Sequence, residues 1–171
     1  GTRSFPISGI DPKSFTVLDN ANFAKDRYNV YFKGKKINYA HPSSFVCLTK
    51  DGFGYAKDAN HVYLEDERIL YADPNAFEVL DFPYAKDNKN VYNGTLPMQM
   101  DKADIAQFKV INDDKYMAHM ISRIQLDHFV TYNEKYQWLK EQPNEIHWVI
   151  IGEWGSGRTN QKKFKGLYEI K

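Results

Sequence analysis

The side chains with the greatest chemical potential are one cysteine, Cys47, and five histidines. A single thiol excludes an internal disulfide and a four-cysteine zinc site. No His-Glu-x-x-His motif occurs and no two histidines are four residues apart, so the spacing of a helical zinc site is missing. The grouping of His119 with Asp127 and His128 is the nearest approach to a metal-ligand set. We predict no catalytic residue, no metal and no cofactor.

Three tyrosines recur after valine and are the candidate ligand contacts: Tyr31, Tyr63 and Tyr92. Rings that face outward would form a ladder able to stack on sugars or to grip an extended partner. Rings that face inward would belong to the core. Because Val-Tyr alternation in a strand lets only one of the two side chains face solvent, the core is favoured.

Carboxylates, a glycine-rich loop and a basic stretch offer weaker hypotheses. The phrase "GEWGSGRT" lacks the Gly-Lys-Ser/Thr ending of a phosphate loop and favours a loop between strands. The stretch "NQKKFK" at 160–165 favours a solvated strand face over a nucleic-acid contact. A hydrolase would need two acids facing one cleft, and nothing selects among the five near the C-terminal region: Asp127, Glu134, Glu141, Glu145 and Glu153.

Composition describes an ordered chain with no strong charge. The 171 residues are 42% hydrophobic and 15% aromatic, which predicts a packed core rich in strands. The net charge of +1 favours neither nucleic acid nor an anionic membrane as a partner of the whole chain. No apolar run approaches the ~20 residues of a membrane span. The first residue is Gly rather than Met, so the sequence bears only weakly on targeting segments.

A phrase of about thirty residues is repeated along the first two thirds of the chain. An aromatic residue and Ala-Lys-Asp are followed, three residues after the Asp, by Asn or His and then Val-Tyr; the triplets begin at Ala24, Ala56 and Ala85. A second segment, Asp/His-Pro-x-x-Phe, ends at Phe15, Phe45 and Phe77, and a degenerate copy ends at Phe108. This even period indicates a repeat architecture.

Each part of the phrase predicts a local structure. Aromatic-Ala-Lys and Val-Tyr-x predict strands, Asp-x-x-Asn/His predicts a turn, and Lys33-Gly34 and Asn93-Gly94 predict further turns. Asp-Pro-x-x-Phe predicts a short helical turn whose Phe points inward. We therefore expect an α+β, mainly β fold of tandem strand-turn-strand units with short helical turns.

We expect residues 1–112 to form the repeat array, with a partial unit at 8–22 and units at 23–54, 55–83 and 84–112. Residues 113–171 would form an α+β cap packed on the array. There, Thr131-x-x-Glu134 predicts a capped helix that ends at Pro143, followed by two strands joined by the glycine-rich loop. A worn fourth unit around Tyr116 is an open alternative.

Repeat alignment also predicts the roles of the reactive residues within it. Cys47 aligns with Val17, Val79 and Val110, which indicates a small core residue. His41 aligns with Asp11 and Asp73 at a capping position. His61 aligns with Asn29 and Asn90 at a turn.

The phrase Tyr-Ala-Lys-Asp-x-x-Asn-Val-Tyr followed by Ala-Asp-Pro-x-x-Phe-x-Val-Leu resembles the DKNYY family of bacterial repeat proteins, over roughly residues 8–111. Departures from the family pattern are His41 in place of Asp, and Asn93 in place of a second Tyr after Tyr92. The resemblance implies a bacterial protein of unknown function, of a kind often exported or lipid-anchored. It implies no catalytic residues.

The function expected from these observations is a non-enzymatic interaction or structural module that binds another protein or a surface polysaccharide, at the cell surface or in the periplasm. A cytoplasmic location is not excluded, and the sequence does not indicate the oligomeric state. The alternatives are a carbohydrate-binding module that uses the tyrosine ladder, and a hydrolase with a site at the junction with residues 113–171.

Overall fold

A computed structural model describes residues 9–141 and 146–171, and the chain divides into two compact units, Gly1–Asp66 and Glu67–Lys171. The described residues form eighteen short strands in small antiparallel sheets and four short helices. The predicted α+β, mainly β class is therefore confirmed. The first unit contains one sheet of β1 (Thr16–Val17), β2 (Phe23–Lys25), β3 (Val30–Phe32) and β4 (Lys35–Lys36), followed by β5 (Val46–Cys47), β6 (Tyr55–Lys57) and β7 (Val62–Leu64).

The second unit begins with β8 (Glu67–Arg68) and repeats the four-stranded sheet. The strands of this sheet are β9 (Glu78–Val79), β10 (Tyr84–Lys86), β11 (Val91–Asn93) and β12 (Leu96–Pro97). Helix α1 (Lys102–Gln107) and β13 (Lys109–Val110) follow. Then come α2 (Lys115–Ala118), β14 (Ser122–Gln125), α3 (Leu126–Tyr132), the 3-10 helix α4 (Glu134–Glu141), β15 (Trp148–Ile151), β16 (Ser156–Arg158), β17 (Lys163–Lys165) and β18 (Tyr168–Ile170).

The core of each unit is built from the aromatic and branched residues of the repeated phrase, whose returning strands are buried on both faces. In the first unit, Phe23, Val30, Phe32, Phe45 and Tyr63 are buried in one cluster. The second unit has a larger cluster that joins Tyr84, Val91 and Phe108 to residues of α3, α4 and β15. Burial of these aromatic and branched side chains provides the main stabilisation, at roughly 25 cal/mol per Å² of apolar surface.

Turns lie where their residues predicted them. Lys33 and Gly34 have φ values of 47° and 81°, and Gly94 has a φ of 58°. The Asp/His-Pro-x-x-Phe segments form one hydrogen-bonded turn each, with Ser14 N–H donating to Asp11 C=O at 3.3 Å and Ala76 N–H to Asp73 C=O at 3.2 Å. Only the degenerate fourth copy lengthens into a true helix, α1.

A fourth repeat sheet is present and is discontinuous in sequence. Strand β13 pairs with β16, β16 with β17 and β17 with β18, in the order found for β1 to β4. The turn bond from Thr159 N–H to Lys162 C=O, 2.9 Å, matches that from Asp26 N–H to Asn29 C=O, 3.0 Å. The ring centres of Phe108 and Phe164 are 5.9 Å apart, and those of the equivalent Phe15 and Tyr31 are 6.3 Å apart. Residues 156–170 therefore complete a repeat that begins at the Phe108 segment.

Segment 111–155 is inserted within this fourth repeat and is tied to the third by polar contacts. The Asn93 side-chain amide donates to Gly152 C=O at 2.9 Å and accepts from Gly152 N–H at 2.8 Å. Next to it, Thr95 N–H donates to Ile150 C=O at 2.8 Å. Asn93, which departs from the family pattern, thus hydrogen-bonds to the insertion as a strand backbone would.

The capped helix predicted at Thr131 is not formed as expected. The Thr131 hydroxyl donates to Asp127 C=O at 2.8 Å inside α3, so it does not cap a new helix. The next segment is the 3-10 helix α4, in which Tyr136 has non-helical dihedrals. Pro143, the predicted end, lies outside the described residues, and Tyr116, the site of the alternative fourth unit, lies in α2.

Thr159 and Phe164 occupy the positions that hold Asp and Tyr in the first three repeats. In the double variant Thr159→Asp/Phe164→Tyr the new hydroxyl can donate to the new carboxylate, whereas each single variant lacks its partner. We expect a favourable coupling of about 1 kcal/mol in a double-mutant cycle measured by urea unfolding. Strict additivity of the two single changes would show that these positions are not equivalent to those of Asp26 and Tyr31, whose side chains are hydrogen-bonded at 2.9 Å.

Candidate functional site

The recurring polar feature of the repeats is a buried aspartate that accepts four hydrogen bonds. Asp26 is 3% exposed. Its Oδ1 accepts from Tyr28 N–H at 2.8 Å and Asn29 N–H at 2.7 Å, which closes the turn between β2 and β3. Its Oδ2 accepts from the Tyr31 hydroxyl at 2.9 Å and from Asp11 N–H at 2.9 Å. One carboxylate thus joins its own turn, the returning strand and the preceding Asp-Pro segment.

The same four bonds occur in the next two repeats. Asp58 Oδ2 accepts from the Tyr63 hydroxyl at 2.8 Å and from His41 N–H at 3.0 Å. Asp87 Oδ2 accepts from the Tyr92 hydroxyl at 2.7 Å and from Asp73 N–H at 2.9 Å. The Oδ1 atoms accept the turn amides of Asn60, His61, Lys89 and Asn90. We call each set an Asp–Tyr pair.

Hydrogen bonding sets the charge state of the pairs. Burial alone would raise the pKa of Asp26, but donation by Asp11, Tyr28, Asn29 and Tyr31 outweighs it and lowers that pKa to about 2. The pKa of Asp58 is lowered by the same balance. Burial, and then the adjacent carboxylate, raise the pKa of Tyr31 and Tyr92. The Asp26–Tyr31 pair is therefore a carboxylate beside a neutral phenol at neutral pH.

The three tyrosines singled out from the sequence point inward. Tyr31, Tyr63 and Tyr92 are 2%, 1% and 0% exposed, and each hydroxyl is used by its aspartate. Their rings pack on the phenylalanines of the Asp/His-Pro-x-x-Phe segments, at 5.7 Å for Phe45 and Tyr63. The three rings therefore do not form a ladder on the surface. Their side chains instead hold each repeat together.

The reactive residues within the repeats also have structural surroundings. Cys47 is half-buried against the first core cluster, and its pKa is raised, mainly by burial, which opposes formation of a nucleophilic thiolate. At His41 and His61 it is the backbone N–H that bonds to Asp58. The turn role predicted for His61 is thus confirmed.

The acidic and histidine side chains outside the repeats form no metal-binding group among the described residues. Asp127, Glu134, Glu141 and Glu153 are all exposed, and Glu145 lies outside the described residues. His128 packs its ring 5.0 Å from that of Tyr132. Within 9–141 and 146–171, no three His, Cys, Asp or Glu side chains are grouped as a metal site would require. None of the helices there is long and apolar enough to span a bilayer.

Sequence reasoning missed two exposed tyrosines at equivalent repeat positions. Tyr39 and Tyr71 lie two residues before His41 and Asp73, and are 59% and 58% exposed. Their φ values are 64° and 65°, in the left-handed region that side chains of this size seldom adopt. The equivalent residue in the first repeat is Gly9, with a φ of 77°. The available signal was the Tyr-Ala dipeptide that precedes both His41-Pro42 and Asp73-Pro74.

Among the cavities lined by described residues, two open on the second unit. The larger, about 490 Å³, lies between the third sheet and α1 and is lined by Glu78, Lys86, Asp87 and Lys102 among others. At the cavity wall, the Lys86 ammonium lies 4.0 Å from the Glu78 carboxylate. Lys25, the equivalent of Lys86 in the first unit, instead donates from its ammonium to Pro42 C=O at 2.8 Å. The smaller, about 180 Å³, has an apolar floor and a rim of Asn133, Glu153, Lys165 and Tyr168.

Comparison with family models supports the interpretation of the repeats. The model of the DKNYY family matches residues 2–123, which is more than half of the chain. Comparisons with curated proteins and with solved structures found no match.

The first prediction from these contacts concerns the phenol. Tyr31→Phe leaves the ring in place but removes one donor from a buried carboxylate, so we expect a loss of about 1.5–3 kcal/mol in the free energy of unfolding. Tyr28→Phe, at a hydroxyl that is exposed on the same turn, is the control and should change it by less than about 0.5 kcal/mol. Equal effects in urea unfolding would contradict a structural role for the Tyr31 hydroxyl.

The second prediction concerns acid. The folded pKa of Asp26, about 2, lies below its ordinary value of 3.8, so its contribution is complete above about pH 4 and is lost as pH falls toward 2. Asp26→Asn should therefore be less stable at pH 6 and should show a shallower loss of stability between pH 4 and 2. Unfolding free energies across this range measure it, and an unchanged acid slope would refute the assignment.

Proposed function

The chain belongs to the DKNYY family, and from this premise we propose that it is a non-enzymatic interaction module of a bacterial exported or envelope protein. Its partner is another protein or a surface polymer. The repeated acids and phenols support this view because they satisfy one another inside each repeat. The array therefore serves as a scaffold, and binding falls to residues that the scaffold holds at its surface.

The observation that carries the proposal is the pair of left-handed tyrosines, Tyr39 and Tyr71. A left-handed backbone costs a residue with a side chain roughly 1–2 kcal/mol, and glycine avoids that cost. Gly9 has this geometry without a side chain, so the turn itself does not require an aromatic ring. Exposed tyrosine is a residue enriched in binding surfaces. We infer that these two rings are kept for contact with a partner.

The surroundings of the two tyrosines leave more than half of each residue exposed. Tyr39 is 59% exposed, so its ring projects into solvent. Tyr71 is stacked on Trp138 at 5.7 Å, with planes 23° apart, and still exposes more than half of its surface. A ring that a neighbour holds in place while it stays exposed is preorganised for stacking on a ligand.

The proposal is tested with Tyr39→Gly and Tyr71→Gly. Glycine relieves the backbone strain, so we expect Tyr39→Gly to stay within about 1 kcal/mol of the native stability. Retention of the purified protein on envelope fractions of the bacterium that makes it should fall at least fivefold in the double variant. Tyr116→Ala, at an exposed tyrosine outside the repeats, is the control and should bind normally.

Treatment of the envelope identifies the partner's class. Protease treatment should abolish retention if the partner is a protein, and periodate oxidation should abolish it if the partner is a polysaccharide. Absence of retention on every fraction, or native retention by the double variant, would overturn the proposal.

A further inference from the structure

One face of the fourth sheet carries a row of cations across three adjacent strands. Lys109 on β13 is opposite Arg158 on β16, and Arg158 is opposite Lys163 on β17. Directly opposed residues in an antiparallel pair point to the same side, about 5 Å apart. Phe164 points to the other side, into the core, so Lys165 joins the row's face. We call Lys109, Arg158, Lys163 and Lys165 the basic face.

Three of these four charges lack counterions within the described part of the chain. Lys109, Arg158 and Lys163 are exposed, and none of the three forms an ion pair with a described residue. Lys162, by contrast, points away and is paired with Asp104 at 2.7 Å. Like charges directly opposite one another destabilise a sheet. The row therefore carries an electrostatic cost that a bound anion would relieve.

The equivalent positions of the first and third sheets do not form a row of cations. In the first sheet the equivalent residues are Thr16, Lys25 and Val30, and in the third they are Glu78, Lys86 and Val91. Each of those rows holds one cation, and Val30 and Val91 are fully buried. The basic face is thus a departure of the fourth repeat from its own pattern. A solvated terminal face requires polarity but not a single sign of charge.

Two aromatic rings flank the basic face. The Lys165 ammonium lies 5.9 Å from the centre of the Trp154 ring, and Tyr168 is opposite Lys165 on β18. Trp154 and Tyr168 are 46% and 41% exposed. The cavity of about 180 Å³ opens beside them, below the ~300 Å³ at which drug-sized pockets begin, and so has room for one ring-sized group.

We propose that the basic face binds an acidic polysaccharide with carboxylates along its chain. The cations pair with carboxylates spaced at about the 5 Å separation of the strands. The rings of Trp154 and Tyr168 pack on the apolar faces of the sugar rings, and the cavity accepts one sugar. The site uses different residues from Tyr39 and Tyr71, so it goes beyond the proposed function and is tested separately.

A polysaccharide fits these observations better than nucleic acid does. The chain has a net charge of +1 and an isoelectric point near 7.9, whereas nucleic-acid domains commonly have values above 9. The basic face has only four cations. Its two aromatic rings, Trp154 and Tyr168, lie at its edge rather than between the charges. Short, weakly charged contact with a carbohydrate chain requires no more than this.

The test uses polygalacturonate as the probe, with dextran as the neutral control and a twenty-residue thymidine oligonucleotide as the nucleic-acid control. Tryptophan fluorescence, to which Trp154 contributes, and calorimetry report binding at low salt. We expect binding of polygalacturonate that weakens as salt is raised, and no binding of dextran. Arg158→Gln/Lys163→Gln should weaken binding at least tenfold. Lys102→Gln, an exposed lysine of the same unit, is the matched control and should bind as the native protein does.

Separate results would overturn the proposal. These are native affinity in Arg158→Gln/Lys163→Gln, equal binding of dextran, tighter binding of the oligonucleotide, or no binding of polygalacturonate. If envelope retention depends on Tyr39 and Tyr71 while polygalacturonate fails to bind, the basic-face assignment is lost and the proposed function stands.

Discussion

The structure depends on placing a carboxylate in the interior of each of the first three repeats and surrounding it with donors. An unpaired buried charge would cost several kcal/mol, and four hydrogen bonds offset that cost. Because those donors come from a turn, a returning strand and a preceding Asp-Pro segment, one side chain sets the relative position of three pieces of backbone. Strands of two or three residues have few ladder bonds of their own, so such fixed points matter more than in a larger sheet.

The fourth repeat supports this interpretation because it lacks both members of the Asp–Tyr pair. Thr159 replaces the aspartate and Phe164 the tyrosine, so the charge and the phenol that served it are absent together. The Thr159 hydroxyl still accepts from Lys162 N–H at 3.1 Å, and the ring still packs on Phe108. Position 157 holds Gly where the other repeats have Ala, because a Cβ there would lie 2.3 Å from the Phe108 ring. The geometry of the repeat therefore survives with a neutral substitute.

Much of the array was predictable from residue types. The parts that were not predictable have specific physical reasons. The turns at Gly34 and Gly94 and the inward Val-Tyr strand follow from local preferences. The fourth repeat was hidden because segment 111–155 separates Val110 from Ser156, and its two signature residues are changed. The capping box at Thr131 failed because the hydroxyl found a carbonyl within α3. No local rule places a tyrosine such as Tyr39 in a left-handed conformation.

The most direct measurement of the central claim is an NMR titration of the aspartate side-chain carboxyl carbons in the native protein. We expect a midpoint near pH 2 for Asp26 and a midpoint below the ordinary 3.8 for Asp58, because both carboxylates are held by four donors. Midpoints at or above 3.8 for these two residues would show that burial prevails over hydrogen bonding, and would contradict the structural role of the Asp–Tyr pairs.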